Sequence, residues 1–243
     1  MPTVLILGAT SDMAEAIARE FAKAKYHVQL AARQTDKLQP LQSDIAIRYQ
    51  TTSSVHHFDA GQFHTHQSFY NSLSPKPDVA ICVFGYMKDN EKAIHDQVEM
   101  LQTINTNYTG AVSILNIIAA DLMQKKQGTI AGISSVAGER GRQSNYIYGS
   151  AKAGFTAYLS GLRNRLFHEN VHVVTVIPGF VYTKMTAHLN LPALLTAQPE
   201  DVGKAVYNAV VKKKNIIYVK WYWRWIMLII RLIPEFMFKK KKL

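Results

Sequence analysis

The chain has 243 residues, 48% of them hydrophobic, which suits one α/β domain with a sizeable core better than two small domains. Of the net charge of +11, +9 lies in residues 212–243, so the body is close to neutral and a basic nucleic-acid-binding face is excluded. A single cysteine, Cys82, excludes an internal disulfide and suits a reducing compartment, and the first apolar run is too short for a signal peptide.

Seven apolar runs of strand length alternate with longer segments of helical period. The runs are 3–7, 27–32, 54–58, 78–83, 128–133, 172–177 and 215–219, with helical periodicity clearest over 12–24 and 90–123. Strands this apolar need cover on both faces. We therefore expect a single Rossmann-type, doubly wound parallel sheet of about seven strands over residues 1–219, with helices on both faces.

The first strand leads into the sequence LGATSDMAEAIA, in which a glycine ends the strand and a helix begins near Ser11 or Asp12. Backbone N–H groups at a helix N-terminus favour an anion such as pyrophosphate. An ordinary strand–helix loop, capped by Ser11 or Asp12, accounts for this turn equally well. If the turn does hold a cofactor, we expect Asp12 to cap the helix and to face away from the pyrophosphate. The candidate cofactor-binding residues here are Gly8, Thr10, Ser11, Asp12 and Met13.

Arg33 directly follows the second strand, at a position where sites for NAD usually have an acid. A nearby arginine instead accommodates the 2′-phosphate of NADP, so NADP(H) is favoured and NAD(H) is the second possibility. A solvent-facing arginine is the simpler interpretation. Asp59, followed by Ala60, comes after the third strand and would either accept a hydrogen bond from the adenine amino group or cap the next helix.

The stretch GISSVAGERGRQSNYIYGSAKAG contains a tyrosine and a lysine four residues apart, Tyr148 and Lys152, which share one face of a helix. An ammonium group beside a phenol stabilises the phenolate and lowers the pKa of the tyrosine, as a general acid/base requires. Ser135 ends the preceding strand, from which its hydroxyl would hydrogen-bond a substrate carbonyl. The three residues together with a glycine turn are far more specific than the Tyr-x-x-x-Lys pair alone.

These residues resemble the short-chain dehydrogenase/reductase family, and the likeness extends over nearly the whole chain. The resemblance implies that Tyr148 is the acid/base, that Lys152 tunes it and binds the nicotinamide ribose, and that Ser135 orients the carbonyl. It also implies that Asn107, in the stretch INTNYTG, holds a water molecule linking the lysine to solvent. The further cofactor contacts that it implies are Gly85, Pro178, Gly179, Val181 and Thr183.

Two segments depart from the family pattern. The usual Thr-Gly-x-x-x-Gly-x-Gly turn is Leu7-Gly8-x-x-x-Asp12-Met13-Ala14 here, and the usual Asn-Asn-Ala-Gly is Cys82-Val83-Phe84-Gly85. Both departures, with FGYMKD, INTNYTGAVS and TKMTAHL, are similar to one subgroup, which reduces a 2-keto pentose on a polyprenyl phosphate. The resemblance implies a homo-oligomeric ketone reductase, a dimer or a tetramer. The alternatives are a reductase of steroids, retinoids or 3-ketoacyl chains, and a cofactor-binding membrane-surface protein without turnover.

The tail, residues 220–243, combines tryptophans, aliphatic residues and a cluster of lysines, Lys239–Lys242. Four charged residues fall within about 60° of one another on a helical wheel and leave the remaining circumference apolar. They are Lys220, Arg224, Arg231 and Glu235. The apolar run Trp225–Ile230 is much shorter than the ~20 residues of a spanning helix. This pattern predicts an amphipathic helix on an anionic membrane surface, at the cytoplasmic face, with packing on a second subunit as the alternative.

Four histidines of the stretch HHFDAGQFHTH raise the question of a metal site. They are His56, His57, His64 and His66. Only Asp59 lies near them as an acid, the chain's one cysteine is distant in sequence, and no spacing for tetrahedral coordination is evident. The expectation is therefore that these histidines are solvated and that the chain binds no metal.

Overall fold

Seven strands form one parallel sheet in the order β3-β2-β1-β4-β5-β6-β9, in a computed structural model that describes residues 1–187 and 190–241. The strands are β1 (Thr3–Leu7), β2 (His27–Ala32), β3 (Ser53–His57), β4 (Val79–Cys82), β5 (Gly128–Ile133), β6 (Val171–Pro178) and β9 (Ile216–Val219). Two short strands, β7 (Phe180–Val181) and β8 (Thr196–Ala197), pair separately. The strand order reverses between β1 and β4, which opens a crevice at the carboxyl ends of the strands. The predicted doubly wound sheet is confirmed.

Helices cover both faces of the sheet, as the apolar strands require. In β1, Val4 and Ile6 are buried on one face and Leu5 and Leu7 on the other. The first face is covered by α1 (Asp12–Lys23), α2 (Gln39–Tyr49) and α8 (Pro199–Val211). The second is covered by α3 (His66–Ser72), α6 (Gly110–Lys125) and α7 (Tyr146–Leu166). Because every β1 side chain is buried, the alternation typical of a half-exposed strand is missing from its sequence.

The segment predicted as helical over 90–123 is divided into several pieces. It contains α4 (Asn90–His95), α5 (Gln97–Ile104) and a single π-helical turn, Asn105–Thr109, which runs into α6. Asp96 separates the first two helices, because its carboxylate accepts hydrogen bonds from the backbone N–H groups of Val98 and Glu99 and so caps α5. The π turn places Asn107 toward the interior, where it is buried.

The helical pattern of the tail predicted a single helix, but the structure divides the tail into two. It contains α9 (Trp223–Leu232) and a short α10 (Glu235–Phe238), and Pro234 lies between them. Lys220 precedes α9 with a positive φ of 62°, so Arg224 and Arg231 are the members of the predicted charged stripe that α9 carries. Lys242 lies outside the described residues. No helix in the described part of the chain is both long and apolar enough to cross a bilayer.

One edge of the tail packs against the body of the protein. Trp223 and Met227 are buried against Val136 and Ile177. Arg140, in the loop after β5, contacts the end of α9. Its guanidinium donates hydrogen bonds to the carbonyls of Ile230 and Ile233, pairs with Glu235 at 3.0 Å and lies 3.7 Å from the centroid of the Phe238 ring. The apolar face predicted from sequence is therefore divided: part of it packs on the protein and the rest faces outward.

Candidate active site

A cavity of about 410 Å³ lies at the carboxyl ends of the strands. The structure brings all of the predicted cofactor-binding residues to its wall, together with Ser135, Tyr148 and Lys152. The cofactor-binding candidates are Gly8, Thr10, Ser11, Asp12, Met13, Arg33, Asp59, Ala60, Gly85, Pro178, Gly179, Val181 and Thr183. Residues separated by as many as 175 positions therefore meet in one crevice, because parallel strands end at the same edge of the sheet.

Gly8 is required by the backbone at the start of this crevice. Its φ is +90°, a conformation that residues with a Cβ rarely adopt. A Cβ at this position would also lie 2.6 Å from the backbone nitrogen of Phe84, in the segment that follows β4. The turn therefore depends on its first glycine, whereas the second family position accommodates a side chain, that of Asp12.

Asp12 has a different role from the predicted one. Ser11 is the cap of α1, since its hydroxyl accepts a hydrogen bond from the backbone N–H of Ala14. The carboxylate of Asp12 instead accepts a hydrogen bond of 2.7 Å from the backbone N–H of Lys184 and pairs with its ammonium at 3.3 Å. The prediction that Asp12 caps the helix is therefore wrong. Asp12 ties the start of α1 to the segment after β7, and it does so at the wall of the cavity.

Arg33 and Asp59 lie at the ends of β2 and β3. Arg33 is exposed at the mouth of the cavity, and Asp12 and Asp59 are the acidic residues among the described side chains of its wall. The carboxylate of Asp59 accepts a hydrogen bond of 2.9 Å from the N–H of Gly61, which makes a local turn. Its predicted alternative, capping the next helix, is not seen, because Gln62 holds the cap position of the following short 3₁₀ turn.

Ser135 follows β5 in an extended conformation, with φ −166°, and begins the 3₁₀ turn Val136–Gly138. Its hydroxyl oxygen accepts a hydrogen bond of 3.1 Å from the backbone N–H of Ala137. A hydroxyl that accepts in this way keeps its own proton for donation. The serine is thus fixed by the backbone and presents a donor to the cavity.

Tyr148 lies in the first turn of α7, and Lys152 one turn later is buried. The Lys152 ammonium donates a hydrogen bond of 3.0 Å to the carbonyl of Ile133 and lies 5.8 Å from the centroid of the Tyr148 ring. Burial raises the pKa of Tyr148 to about 12, and a hydrogen bond with Ser135 acts in the opposite direction. Burial also lowers the pKa of Lys152 to about 8. The predicted lowering of the tyrosine pKa is absent here, because desolvation of the phenol dominates.

Asn107 is the one candidate that the described cavity wall does not include. Its side-chain amide donates to the carbonyls of Thr103 and Tyr86, and its oxygen accepts from the N–H of Tyr86. A Cβ on Gly85 would lie 3.0 Å from that oxygen and 3.6 Å from the Lys152 nitrogen. Asn107 therefore stands behind Gly85 and fixes the backbone beside the lysine. Its predicted water-holding role stays a prediction.

His66 differs from the expectation of a solvated histidine. It is fully buried, and its ring nitrogens hydrogen-bond the hydroxyl of Ser113 and the carbonyl of Asp59. Burial lowers its pKa. Among residues 1–187 and 190–241, no group of three or more His, Cys, Asp or Glu residues lies close enough together to hold a metal ion.

Several residues of the cavity wall were not identified from the sequence. They include Phe84, Tyr86, Met87, Arg142, Asn145, Phe180, Lys184 and Met185. Arg142 and Asn145 lie between Ser135 and Tyr148, so their position in the central stretch was the available signal. Phe180 lies between the predicted contacts Gly179 and Val181, and Lys184 directly follows Thr183. The described wall contains apolar side chains and polar or charged side chains in similar number.

Comparisons with known proteins agree with this architecture. A family model described as short chain dehydrogenase matches residues 2–193. An uncharacterized oxidoreductase of Mycobacterium tuberculosis is 34% identical over 242 residues, covering 98% of this chain and 96% of that protein. An uncharacterized oxidoreductase of Streptomyces coelicolor is 30% identical, covering 98% and 95%. The solved short-chain dehydrogenase from Sphingobium yanoikuyae in complex with NADPH shares the fold, with a TM-score of 0.84, 19% identity and 97% coverage of both chains.

Proposed function

The chain belongs to the short-chain dehydrogenase family, and from that premise we propose that it uses NADP(H) to reduce a ketone to a secondary alcohol in this cavity. One observation carries the proposal. Ser135, Tyr148 and Lys152 converge on one part of a cavity whose other part is formed by the strand ends of a dinucleotide-binding crevice. An oxidoreductase that depends on a nicotinamide cofactor needs both a crevice for the dinucleotide and, next to it, residues that act on the substrate carbonyl.

The residues at the strand ends fit such a cofactor. The tight approach of Gly8 to Phe84 leaves backbone rather than side chain at the start of α1, where the N-terminal N–H groups favour a pyrophosphate. Arg33 supplies a positive charge at the end of β2, suited to a 2′-phosphate. The buried Lys152 ammonium has two N–H groups beyond its bond to Ile133, suited to ribose hydroxyls. When bound, the reduced cofactor supplies the hydride.

The proton that completes the reduction comes from Tyr148. Its hydroxyl donates a proton to the carbonyl oxygen, and Ser135 donates a hydrogen bond to the same oxygen, which stabilises the negative charge that develops there. The positive charge of Lys152 stabilises the tyrosinate that remains. Asn107 is a positioning residue in this scheme, because it fixes the Gly85–Tyr86 backbone beside the lysine. The predicted water relay would return the proton from solvent.

The preference for NADP(H) is tested by replacing Arg33 with alanine. We expect the KM for NADPH to rise about tenfold or more, as for the loss of a charge-assisted contact, while the KM for NADH changes little. Steady-state kinetics with both cofactors measure the two values. Arg48→Ala is a matched control, because Arg48 is exposed and outside the cavity. Equal effects on NADPH and NADH would contradict the assignment of Arg33 to the 2′-phosphate.

The substrate that the departures from the family pattern favour is a keto sugar on a polyprenyl phosphate, as in the decaprenylphosphoryl 2-keto-pentose reductases that these segments resemble. Apolar side chains of the cavity wall support a lipophilic partner, since Met87, Phe180 and Met185 line the cavity. A lipophilic ketone of another class, such as a steroid, a retinoid or a 3-ketoacyl chain, is the second candidate on the same observation.

A coupled assay distinguishes these substrates. We expect a prenyl-phosphoryl 2-keto pentose to be reduced with NADPH at a kcat/KM at least tenfold above that for steroid, retinoid or 3-ketoacyl ketones. Oxidation of NADPH is followed optically, and the alcohol product is identified by mass spectrometry. A preference for one of the other ketones would contradict the keto-sugar assignment alone. Failure of every ketone with both cofactors would contradict the reductase itself and favour a cofactor-binding protein without turnover.

The outward part of the tail supports a membrane partner. The tail surface is the set of exposed side chains Trp221, Trp225, Leu228, Ile229, Leu232, Phe236 and Met237. Exposed basic residues accompany it, namely Arg224, Arg231 and Lys239 to Lys241. Apolar and aromatic groups among cations are the composition of segments that bind anionic bilayers. We assign the chain to the inner face of such a membrane, where a polyprenyl-linked substrate resides. The predicted homo-oligomer stays a prediction.

A further inference from the structure

Arg142 occupies a distinctive place in the cavity. It lies in the loop between Ser135 and Tyr148, and the backbone N–H of Asn145 donates to its carbonyl, which makes a turn. Its side chain reaches the cavity wall and donates a bond of 3.3 Å to the sulfur of Met227 in α9. A thioether is a weak acceptor. The guanidinium is therefore held in place by the tail without being neutralised by it.

The charge of Arg142 lacks a counter-ion in the described structure. Its Nε is buried and makes no hydrogen bond to any described residue, and no carboxylate of the described chain lies within 4.0 Å of the guanidinium. Glu139 is the acid whose charge raises the pKa of Arg142, against the larger effect of burial. One oxygen of that carboxylate accepts a hydrogen bond from the hydroxyl of Tyr218, and the other is buried without a hydrogen bond to the described residues, so Glu139 forms no ion pair with Arg142. Burial lowers the pKa of Arg142. A desolvated cation without a partner is costly unless a ligand completes its contacts.

Asn145 adds a second unsatisfied group on the same turn. Asn145 is one of the residues that line the cavity, and its side-chain oxygen is buried and accepts no hydrogen bond from the described residues. The cavity thus combines a planar guanidinium donor with an amide acceptor close by in the chain. A phosphate suits the donor, since arginine binds phosphate oxygens in a bidentate manner, and an adjacent hydroxyl suits the acceptor.

Two of the other cations of the described wall already have partners within the protein. Lys184 pairs with Asp12, and Lys152 is bound to the carbonyl of Ile133. Arg33 lies at the end of β2, on the nucleotide side of the crevice. Arg142 contacts Met227, which packs in one cluster with Val136, the residue after Ser135, so the arginine lies toward the proposed site of the reacting carbonyl. Resting on the proposed reductase function, we infer that Arg142 binds a phosphate group of the ketone substrate and that Asn145 accepts a hydrogen bond from a neighbouring hydroxyl.

With this role, Arg142 is a specificity-determining residue. It selects ketones that carry a phosphate over neutral ketones with the same hydrocarbon chain, because only the former neutralise the guanidinium. It also gives the tail a part in the site, since Met227 supports the arginine. The packing of α9 and the recognition of the phosphate are then linked by one contact.

Calorimetric titration tests the inference without requiring turnover. The protein is saturated with NADP⁺ and titrated with geranyl phosphate or with geraniol, which lacks the phosphate. In Arg142→Gln we expect the Kd of geranyl phosphate to rise about ten- to a hundredfold, while that of geraniol changes less than about twofold. Arg142→Lys keeps a point charge and should retain part of the affinity. Arg165→Gln, an exposed arginine of α7, is the matched control and should behave as the unmodified protein.

Other outcomes overturn the inference in distinguishable ways. Unchanged affinity for geranyl phosphate in Arg142→Gln would show that Arg142 does not bind the phosphate. An equal loss for geraniol, or a loss in Arg142→Lys as large as in Arg142→Gln, would indicate distortion of the cavity. Weaker NADP⁺ binding in Arg142→Gln would show that Arg142 contributes to binding of the cofactor. Geranoic acid serves as a third ligand, and binding as tight as that of geranyl phosphate would make the site a general anion site. None of these results depends on whether the protein reduces a keto sugar.

Discussion

Replacing Tyr148 with phenylalanine is expected to lower kcat by about 10²–10⁴-fold, the usual contribution of a general acid. The substitution removes a single oxygen atom and leaves the ring in the first turn of α7. Ser135 still donates a hydrogen bond to the carbonyl oxygen, but no proton reaches that oxygen from the protein at the required position. Because the ring remains in place, the KM for NADPH and the free energy of unfolding should change little. Steady-state kinetics and chemical denaturation measure the three quantities.

Tyr146 provides a matched control for this experiment. It lies two residues earlier in the same helix turn, but its side chain is 45% exposed, so Tyr146→Phe should retain normal turnover. Two results would contradict the role of Tyr148. One is near-normal kcat in Tyr148→Phe. The other is a loss of stability large enough to explain the loss of activity, which would make the hydroxyl a structural group.

The sheet is the part of the fold that could be predicted most closely. The bounds of β1, β2 and β5 agree with the predicted runs residue by residue. These strands are buried on both faces, so their sequences are largely apolar, with the buried Gln29 of β2 as an exception. The sequence pattern of the outer strand β9 is less distinct, since Ile216 is half exposed. The predicted start of this strand is one residue too early.

The site residues could be identified from the sequence because they lie close together along the chain, within one helix and at the end of one strand. Their contacts with residues distant in sequence could not be predicted. Asp12 meets Lys184 across 172 residues, and Arg140 meets Ile230 across 90. Local capping rules favoured Ser11 and Asp12 equally, whereas in the structure Ser11 is the cap and Asp12 contacts the segment after β7. In the same way, the burial of Trp223 is decided by Gly179, where a Cβ would lie 2.0 Å from the indole ring.

The shape of the tail follows from such a tertiary contact. A helical wheel over 220–235 assumes one straight helix, whereas α9 ends before Pro234 and Arg140 donates hydrogen bonds to backbone carbonyls at its end. The helix therefore buries Trp223 and Met227 and exposes the tail surface. Both parts are apolar, so sequence periodicity does not separate them. Only the packed structure shows which of these apolar residues remain exposed.

We expect the outward residues of the tail to bind the protein to anionic vesicles. Replacing Trp225, Ile229 and Leu232 with glutamine should weaken partitioning at least tenfold, because each buried aliphatic or aromatic side chain contributes about 1.5–3 kcal/mol. These side chains are 54%, 65% and 72% exposed, so the fold should not depend on them. Flotation with vesicles of phosphatidylcholine and phosphatidylglycerol measures the partitioning. Pure phosphatidylcholine or high salt should also weaken it, because the lysines then lose their attraction to the surface.

Substitution is a sharper test than truncation, because a cut at Val211 would remove β9 from the sheet as well as the tail. A control with the same chemical change is available elsewhere on the protein. Ile47, Val98 and Leu194 are 78%, 72% and 85% exposed, and replacing them with glutamine should leave flotation unchanged. If the tail variant floats like the unmodified protein, the membrane assignment is wrong. If it instead loses self-association in analytical ultracentrifugation, the tail surface is a contact between subunits. Because Met227 is left intact, retained binding of geranyl phosphate would separate membrane docking from recognition at Arg142.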